Sequence, residues 1–360
     1  MNLNLNYDYI LMEKEENLCF LTRNYYNRDS AGNKAKTDNE DTLVLMGARN
    51  LGLDRTFYDS KITSFFLDLA GVISMCYNIK KNDNLFLQYP VKKYFSFLCI
   101  VAHLKGAKVM ALIHDLGSFR RKKLTVSHEI ARLSNADYVI ASNNIMAQWL
   151  RDNGFKKGLG ALQLFDYRSD SEVANKGRRT INDKHVYSVT YAGSLNLRKN
   201  SFFLHLPEIM DGYKMHIYGN SAEMPTLNSC KNFVFHGFTP ADVFIANAEG
   251  DFGLVWDGDS TNSCTGNFGE YLRYNSPHKV SFYLRAGLPV IIWKEAALAD
   301  FIVSEGAGIS IESLGELSNI LRNMTETQYH SMECNARRLG EMLAMGHFLK
   351  IAVNTALNKL

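Results

Sequence analysis

The stretch FGLVWDGDSTNSCTGNFGEYLRYNSPHKVSFYLRAGLPVIIW, residues 252–293, decides the fold of this chain. Its apolar run at 253–256 predicts a buried strand that ends in a polar loop, and PVIIW predicts a second buried strand. Between them, a helix is predicted to begin near Pro277 and Lys279. Because the free N–H groups and the dipole at a helix start favour negative charge, a lysine there indicates an anionic ligand, and we expect a diphosphate.

Strands and helices alternate in both directions from this stretch. The first half of the chain has apolar runs typical of strands at residues 18–23, 83–90, 108–115, 136–142 and 159–167. Helical patterns lie between these runs, so the sheet is predicted to be parallel and covered on both faces. The same pattern restarts in the second half. The sequence therefore predicts an α/β fold of two Rossmann-like, doubly wound domains that face each other across a cleft.

Length and composition predict where the domains begin and end. The chain has 360 residues, which is more than one typical core contains. Residues 168–185 are polar with charges of both signs, and they are predicted to link an N-terminal domain (1–167) to a C-terminal domain (186–340). Residues 341–360 are predicted to form a last helix that returns to the N-terminal domain.

Composition and motif content argue against several classes of protein. The net charge is +3, from 40 basic and 37 acidic side chains, which gives no reason to expect nucleic-acid binding. The six cysteines lack zinc-site or redox spacing, which is typical of reduced thiols in the cytoplasm. The N-terminal sequence does not resemble a secretory leader, and no apolar run reaches the roughly 20 residues of a spanning helix. Sequence motifs of serine hydrolases, P-loop proteins and zinc proteases are also missing.

Residues directly after predicted strands are the chemical candidates, because ligands of open parallel sheets bind beyond the carboxyl ends of the strands. Gly193 lets a ligand approach the backbone, and Arg198 or Lys199 is placed to meet a phosphate. Tyr218 is placed to stack on or hydrogen-bond a base, and Asp257 to bind sugar hydroxyls. The plainer alternatives for these positions are a common turn, packing and turn capping, and they stay open.

A second helix start is predicted after the strand at 289–293. The backbone amides around Ala297 and Leu298 are expected to hold phosphate or ribose. Two helix starts that point into one cleft suit a diphosphate without any cation, and the isolated D-x-D at Asp257 and Asp259 is a weak metal signal. We therefore expect neither a metal nor a cofactor.

The first half supplies a candidate general base. His114 and Asp115 end the strand predicted at 108–115, where a carboxylate that faces the other domain is placed to take a proton from a hydroxyl group. The neighbouring histidine is a second candidate for that role. A structural aspartate that caps the next turn is the alternative.

Two charged segments of the first half have little to bury. The polar segment that holds Arg28, Asp29 and Lys34 is predicted to be a mobile loop or the frayed start of a helix. The basic run RRKK at 120–123 is either a solvated face or a contact for anionic lipid.

The long motif at residues 252–311, from FGLVW to GISI, carries a resemblance to a known family. It resembles the C-terminal half of the bacterial β-1,6-galactofuranosyltransferases of O-antigen and polysaccharide assembly. More distantly, it resembles the accessory glucosyltransferases that extend GlcNAc on serine-rich adhesins. The similarity extends through YAGSL, IHD and RDSAGNKAK, so it covers most of residues 18–345. The resemblance implies a GT-B enzyme with an acceptor-binding N-terminal domain, a UDP-sugar-binding C-terminal domain and no metal.

The resemblance also implies roles for particular donor-site residues. The pyrophosphate of the UDP-sugar would contact Pro277, His278 and Lys279. The uridine would lie against Tyr218 and the amides near Ala297. In this interpretation, the UDP-sugar is a co-substrate and there is no separate cofactor.

One position departs from the family pattern. The basic residue expected shortly after Gly193 falls near Leu197, so contact of the phosphate by Arg198 or by Lys199 stays open. On the acceptor side, Asp115 would deprotonate the attacking hydroxyl, and the displacement would invert an α-linked donor to a β product. The polar loop at 28–36 would close over the acceptor.

Several alternatives remain at this level. The donor is a galactofuranosyl or a glucosyl nucleotide, because nothing in the sequence separates furanose from pyranose. A non-catalytic GT-B partner or regulatory module and a sugar-nucleotide epimerase are the other classes. The acceptor expected by analogy is a glycan or a lipid-linked oligosaccharide, which places the protein in the cytoplasm or peripherally at the inner leaflet of the plasma membrane. A homo-oligomer is also compatible with the sequence.

Overall fold

The computed structural model describes residues 17–26, 31–91, 94–120, 124–173, 187–193, 195–219 and 224–360. Within these residues the strands form two six-stranded sheets, one in each half of the chain, and the strand pairs in both sheets are parallel. The predicted α/β class with two Rossmann-like domains is confirmed.

The N-terminal domain alternates strands with helices, as the sequence pattern predicts. Its elements are β1 (Leu18–Phe20), α1 (Ala31–Leu45), β2 (Arg49–Asn50), α2 (Lys61–Asn78), β3 (Asn84–Tyr89), α3 (Phe95–Leu104), β4 (Lys108–Ile113), α4 (Gly117–Arg120), α5 (Val126–Leu133), β5 (Tyr138–Ala141), α6 (Asn144–Asp152) and β6 (Gly158–Ala161). The strand order is β2-β1-β3-β4-β5-β6. The central strands are almost wholly buried, because runs such as KVMALI present apolar side chains to the helices on both faces.

The C-terminal domain repeats this alternation and adds short 3₁₀ helices at Ser201–Leu204, Pro225–Ser229 and Leu314–Glu316. Its elements are β7 (Val189–Ala192), α7 (Leu197–Asn200), α8 (Leu206–Ile209), β8 (Met215–Tyr218), β9 (Phe233–Gly237), α9 (Ala241–Asn247), β10 (Phe252–Val255), α10 (Gly266–Tyr271), α11 (His278–Arg285), β11 (Val290–Trp293), α12 (Ala299–Ser304), β12 (Gly308–Ile311), α13 (Leu317–Asn323), α14 (Glu326–Ala344) and α15 (His347–Leu357). The strand order, β12-β11-β10-β7-β8-β9, is that of dinucleotide-binding sheets, with the reversal between β7 and β10. None of the helices in the described part of the chain combines the length and the apolar character that crossing a bilayer requires.

Helix α1 corrects the prediction of a mobile loop or a frayed helix start in the polar segment of the first half. The polar residues Asp38, Asn39 and Glu40 of this helix are at most 2% exposed. Hydrogen bonds stabilise them, since Glu40 accepts from Thr22 Oγ1 and from Arg55 Nε, each at 2.8 Å. Hydrophobic periodicity did not indicate this helix because most of its buried side chains are polar.

Two predicted strands are shorter than the apolar runs that suggested them. The run at 159–167 forms a strand only as far as Ala161, and Gln163 then adopts a positive φ of 77°. The run at 108–115 ends as a strand at Ile113. His114 and Asp115 therefore lie beyond the strand, at the edge of the sheet where ligands bind.

The last helix packs against the first sheet. Leu349 and Val353 of α15 are fully buried in the core of the N-terminal domain. Asp166 accepts hydrogen bonds from the backbone N–H groups of Phe348 (3.2 Å) and Leu349 (2.7 Å), at the start of α15. Burial raises the pKa of this carboxyl to about 7. Most of the predicted linker, from residue 174 onward, lies outside the described residues.

Candidate functional site

A cavity of about 2100 Å³ lies between the two domains, at the carboxyl ends of both sheets. Ligands of such sheets bind where the strand order reverses, which in the second sheet is between β7 and β10. Gly193 comes directly after β7 and Asp257 lies two positions after the end of β10, and both line the cavity. Most of the predicted site residues line it too, namely Lys34, His114, Asp115, Gly193, Lys199, Tyr218, Asp257, Pro277, His278 and Lys279.

Lys279 is the second residue of α11, and its side chain extends toward β7. The ammonium nitrogen is 3.7 Å from the centre of the Tyr191 ring and 3.6 Å from Oδ1 of Asp257. Within the part of the chain that the structure describes, this buried nitrogen has no hydrogen-bond partner. Gly193 has a φ of 144°, which disfavours other residues, and it lies next to the lysine, because an added Cβ would contact Lys279 Cε at 3.4 Å.

Asp257 lies between two lysines. Its Oδ2 is 3.1 Å from Nζ of Lys199, and its Oδ1 faces Lys279. One carboxylate does not balance two ammonium groups, so the cluster carries excess positive charge when both lysines are protonated. Burial lowers the pKa of Lys279 to about 7, although the nearby Asp257 carboxylate opposes this shift. An anionic ligand would raise that pKa again by supplying the acceptor that Nζ lacks.

The start of α11 adds a second source of positive potential. Pro277 occupies the N-cap position, and no side chain caps the first turn, which begins at His278. The helix is eight residues long, and its first residues line the same cavity as Lys279. Free N–H groups next to a lysine pair form a site that suits a diphosphate. The same lysines disfavour a cation at Asp257, and the expectation that no metal binds there stays a prediction.

The structure distinguishes Arg198 from Lys199, the two basic residues that the sequence left as alternatives for the phosphate contact. Lys199 lines the cavity and contacts Asp257, whereas Arg198 does not line the cavity. The Arg198 guanidinium lies over the ring of Phe268, 5.1 Å from its centre. Lys199 is therefore the better candidate for the phosphate contact.

Tyr218 borders the cavity but already has partners. Its ring stacks on His236 at a centroid distance of 4.3 Å, and its hydroxyl accepts a hydrogen bond of 2.7 Å from the backbone N–H of Glu249. Only 8% of the residue is exposed. The plainer alternative, packing, accounts for these contacts, and the contact of Tyr218 with uridine stays a prediction.

The second predicted helix start, at Ala297 and Leu298, does not line the cavity. The backbone N–H of Ala297 donates to the carbonyl of Leu272 at 2.8 Å, and Leu298 is fully buried. Helix α12 begins only at Ala299. The Ala297 amide therefore has an internal acceptor, which argues against its predicted contact with phosphate or ribose. The same contact of the Leu298 amide stays a prediction.

His278 joins the two domains through stacked rings. Its imidazole stacks on Phe165 of the N-terminal domain at 4.6 Å, and the Phe165 ring stacks on His114 at 4.9 Å. This row of three rings sets the start of α11 against the end of β4. Contact of His278 with a pyrophosphate stays a prediction.

The surroundings of His114 argue against it as the general base. Burial lowers its pKa well below the usual value, so the ring resists taking up the proton that a general base must accept. Its Nε2 is 2.9 Å from Oε1 of Gln88, whose amide nitrogen donates to the Lys36 carbonyl. Oε1 is therefore the acceptor, and His114 Nε2 carries the proton. Asp115 is half-buried and also lines the cavity, so its carboxylate is the better candidate to take a proton from a substrate hydroxyl.

A buried carboxylate that sequence analysis did not identify holds the loop next to Asp115. Glu129 is fully buried and accepts hydrogen bonds from the backbone N–H groups of Gly117 (2.7 Å) and Ser118 (2.8 Å) and from the Tyr89 hydroxyl (3.0 Å). These contacts fix the chain two and three residues after Asp115. An acidic residue in the first turn of a helix is common, so the sequence contained no distinct signal of this role.

Of the three residues predicted to bind the acceptor, the structure describes only Lys34. Lys34 lies in α1, forms an ion pair with Asp38 and donates to the carbonyl of Arg168 at 2.5 Å. It therefore ties α1 to the segment that leaves the N-terminal domain, although it also borders the cavity. Arg28 and Asp29 lie outside the described residues.

Both domains match models of one protein family. Residues 18–164 match the family described as glucosyltransferase 3-like, N-terminal domain. Residues 189–356 match its counterpart, glucosyltransferase 3-like, C-terminal domain. Together the two matches span most of the chain.

Two relatives confirm the resemblance that the sequence motifs indicated. The chain is 28% identical over 344 residues to the β-1,6-galactofuranosyltransferase WbbI of Escherichia coli K12, covering 95% of this chain and 99% of WbbI. It is 23% identical over 322 residues to glucosyltransferase 3 of Streptococcus parasanguinis, covering 86% of this chain and 88% of that protein.

A solved structure shares the fold. The crystal structure of Anabaena HepE in complex with UDP-glucose superposes with a TM-score of 0.57 at 13% identity, covering 95% of this chain and 99% of HepE. At that identity the similarity establishes the architecture only. The two facing Rossmann-like domains form a GT-B fold.

Proposed function

Because the chain belongs to the glucosyltransferase 3-like family of glycosyltransferases, we propose that it transfers a hexosyl group from a UDP-sugar to a hydroxyl of a cell-surface glycan precursor. The proposed donor is UDP-galactofuranose, and transfer is inverting and independent of metal. One observation carries the proposal: the buried ammonium of Lys279 has no hydrogen-bond partner within the described part of the chain. This nitrogen lies at the strand-order reversal where nucleotides bind to such sheets.

The donor half of the reaction follows from the charges in the C-terminal domain. Cleavage of the anomeric C–O bond leaves negative charge on the UDP leaving group. Lys279, Lys199 and the first-turn amides of α11 would stabilise that charge as it grows. Since these groups are fixed by the fold, little reorganisation is needed during the reaction.

The acceptor half uses the opposite wall of the cleft. Asp115 would accept the proton of the attacking hydroxyl, and the oxygen would then attack the anomeric carbon from the face opposite the UDP. A direct displacement of this kind converts an α-linked donor into a β-linked product. Glu129 supports this role by fixing the loop that carries Asp115.

The choice of donor sugar rests on the relatives. UDP-galactofuranose is favoured by similarity to WbbI over almost the whole of both chains. The second candidate is UDP-glucose, because glucosyltransferase 3 of Streptococcus parasanguinis is also similar over most of its length. The acceptor proposed by analogy is a lipid-linked oligosaccharide at the inner leaflet of the plasma membrane.

A donor screen tests this proposal. Purified protein is incubated with UDP-galactofuranose, UDP-glucose or UDP-galactose and a glucoside acceptor, and UDP release and product mass are measured. We expect acceptor-dependent UDP release that is fastest with UDP-galactofuranose and unchanged by a chelator. Faster release from UDP-glucose would establish the second candidate instead. Binding of the donors without release from any of them would identify a non-catalytic GT-B module and contradict the proposal.

A further inference from the structure

Helices α2 and α3 of the N-terminal domain carry apolar residues on both of their faces. One face of each helix packs on the first sheet, through residues such as Val72 and Met75 of α2 and Leu98 and Ala102 of α3. The opposite face is exposed and also apolar. We call it the α2–α3 surface, and its members with their exposed fractions are Ile62 (72%), Phe65 (44%), Phe66 (62%), Ile73 (49%), Tyr77 (81%), Phe97 (49%), Ile100 (51%) and Leu104 (82%).

The spacing of these residues is that of a helical stripe. Ile62, Phe66, Ile73 and Tyr77 are separated by four, seven and four positions, which keeps them on one side of α2. An exposed helix face is normally polar. Among the described residues, eight of the 23 exposed large hydrophobic side chains belong to these two helices. An exposed apolar patch of this size on neighbouring helices indicates an interaction surface.

Exposed lysines border one end of the surface. Lys80 and Lys81 follow the end of α2, and Lys105 follows the end of α3. The side chain of Lys81 lies against Gly106, where a Cβ would be 3.2 Å from Lys81 Cγ, so the two helix ends lie together. An apolar face next to several lysines has the chemistry of segments that bind the interface of an anionic membrane.

The surface continues to the cleft. Phe57 lines the cavity, and the exposed Tyr58 leads from it to Ile62 in the first turn of α2. Pro90, which also lines the cavity, lies five positions before the first residue of α3. An exposed path with three large apolar side chains therefore connects the wall that carries Asp115 with the outer face of the two helices.

We propose that the α2–α3 surface docks on an anionic phospholipid bilayer, with its apolar side chains at the level of the headgroups. The inference deepens the proposed function, because it says how the mouth of the acceptor cleft is brought to a lipid-linked acceptor. Apolar area would supply the main affinity, and the lysines would add attraction to negative headgroups. A second copy of the chain would cover the apolar stripe without requiring anionic lipid.

Co-sedimentation with vesicles tests the proposal. The unaltered protein should sediment with vesicles that contain phosphatidylglycerol, and less with phosphatidylcholine alone or at high salt. The double variant Phe66→Glu/Ile73→Glu should reduce the partition coefficient by about tenfold or more, since both side chains are exposed and contribute apolar area. The matched control is Val303→Glu/Ile351→Glu, on exposed parts of α12 and α15. Its partition coefficient should stay unchanged.

Further measurements separate this inference from the proposed function. The variant Lys80→Glu/Lys81→Glu should lower binding to phosphatidylglycerol vesicles and leave binding to phosphatidylcholine unchanged. All variants should keep UDP binding, which would show that they fold, and should keep transfer from UDP-galactofuranose to a soluble glucoside. Equal vesicle binding by the Phe66/Ile73 variant and its control would overturn the inference. Dissociation of an oligomer by that variant, with no vesicle binding by the unaltered protein, would identify a second copy as the occupant instead. Loss of transfer to all acceptors with intact vesicle binding would contradict only the proposed function.

Discussion

Buried charges on the two walls of the cleft differ in how completely they are paired. In the N-terminal domain, Glu40 accepts hydrogen bonds from Thr22 and Arg55, and the Tyr25 hydroxyl also donates to it. In the C-terminal domain, Asp257 is shared by Lys199 and Lys279, and the buried Lys279 nitrogen has no hydrogen-bond partner within the described residues. Both clusters place basic side chains around one carboxylate. The hydrogen bonds of the buried charge are complete in the Glu40 cluster and incomplete in the Lys279 cluster.

The difference distinguishes a structural cluster from a ligand site. A buried network with complete hydrogen bonds stabilises one conformation of the fold. A buried ammonium without an acceptor costs stability, and a ligand that supplies the acceptor recovers that cost. The Glu40 cluster is therefore expected to act on stability, and the Lys279 cluster on donor binding.

The largest expected effect concerns the chemistry of the N-terminal wall. Replacement of Asp115→Asn keeps the shape of the side chain and removes the proton acceptor, so kcat should fall by roughly 10²- to 10⁴-fold. UDP-glucose affinity should stay within about twofold, because the donor site lies in the other domain. Steady-state transfer assays and calorimetric titration measure the two quantities. Near-native transfer by this variant would remove Asp115 from the role of base.

The next effect concerns the paired cluster. Replacement of Glu40→Ala leaves the Arg55 guanidinium without a fully buried partner, so the free energy of unfolding should fall by about 3–5 kcal/mol. The matched control is Asp41→Ala, which removes a second and 47% exposed partner of Arg55 and should cost about 1 kcal/mol or less. Urea denaturation checks both values. Equal losses in the free energy of unfolding for the two variants would contradict the claim that the buried partner of Arg55 contributes more than the exposed one.

A smaller effect is expected at the Lys279 cluster, and its effect on stability differs in sign from that of Glu40→Ala. Replacement of Lys279→Met should weaken UDP-glucose binding by about 10- to 150-fold, the value of a hydrogen bond to a charged group. The free energy of unfolding should stay the same or rise, since the removed buried ammonium makes no hydrogen bond and Asp257 keeps its ion pair with Lys199. Lys294→Met, at an exposed lysine of the same domain, is the control and should change neither quantity. Strong destabilisation by Lys279→Met with intact donor binding would contradict this assignment, because it would make the Lys279 cluster structural.

The smallest effect is a pH dependence of donor affinity. Lys279 has a pKa of about 7 in the empty site, and a bound diphosphate returns it toward its ordinary value of 10.5. Donor binding therefore takes up a proton only above pH 7. UDP-glucose affinity should be constant below that pH and fall by up to about tenfold per unit above it. Titration calorimetry from pH 6 to about 9 measures this slope, because the diphosphate of UDP-glucose does not titrate there. A slope that persists in Lys279→Met would assign the proton to another group.

The alternation of apolar strands and helices was sufficient to predict both sheets, and Pro277 with Lys279 predicted the start of α11. These features are encoded locally, in the period of the apolar residues and in the capping pattern. The internal acceptor of the Ala297 amide, the Leu272 carbonyl, was missed because it is distant in sequence. Glu129 was missed for a related reason, since its role depends on donors that only the folded chain brings to it.

The same limit applies to α1. Most of its buried residues are charged or polar, and only Ala35 and Leu43 add buried apolar side chains, so the apolar period barely distinguishes this helix from a loop. Partners in three other segments, at Thr22, Arg55 and Gln88, make the burial possible. The sequence identified the side chains that carry charge, and the structure was needed to show which of them already have partners.

A crystal structure of the protein soaked with UDP tests the central claim most directly. The account predicts the diphosphate at the reversal between β7 and β10, with an oxygen about 2.7–2.9 Å from Lys279 Nζ and close to the first turn of α11. A diphosphate bound elsewhere, with Lys279 still lacking an acceptor, would contradict it.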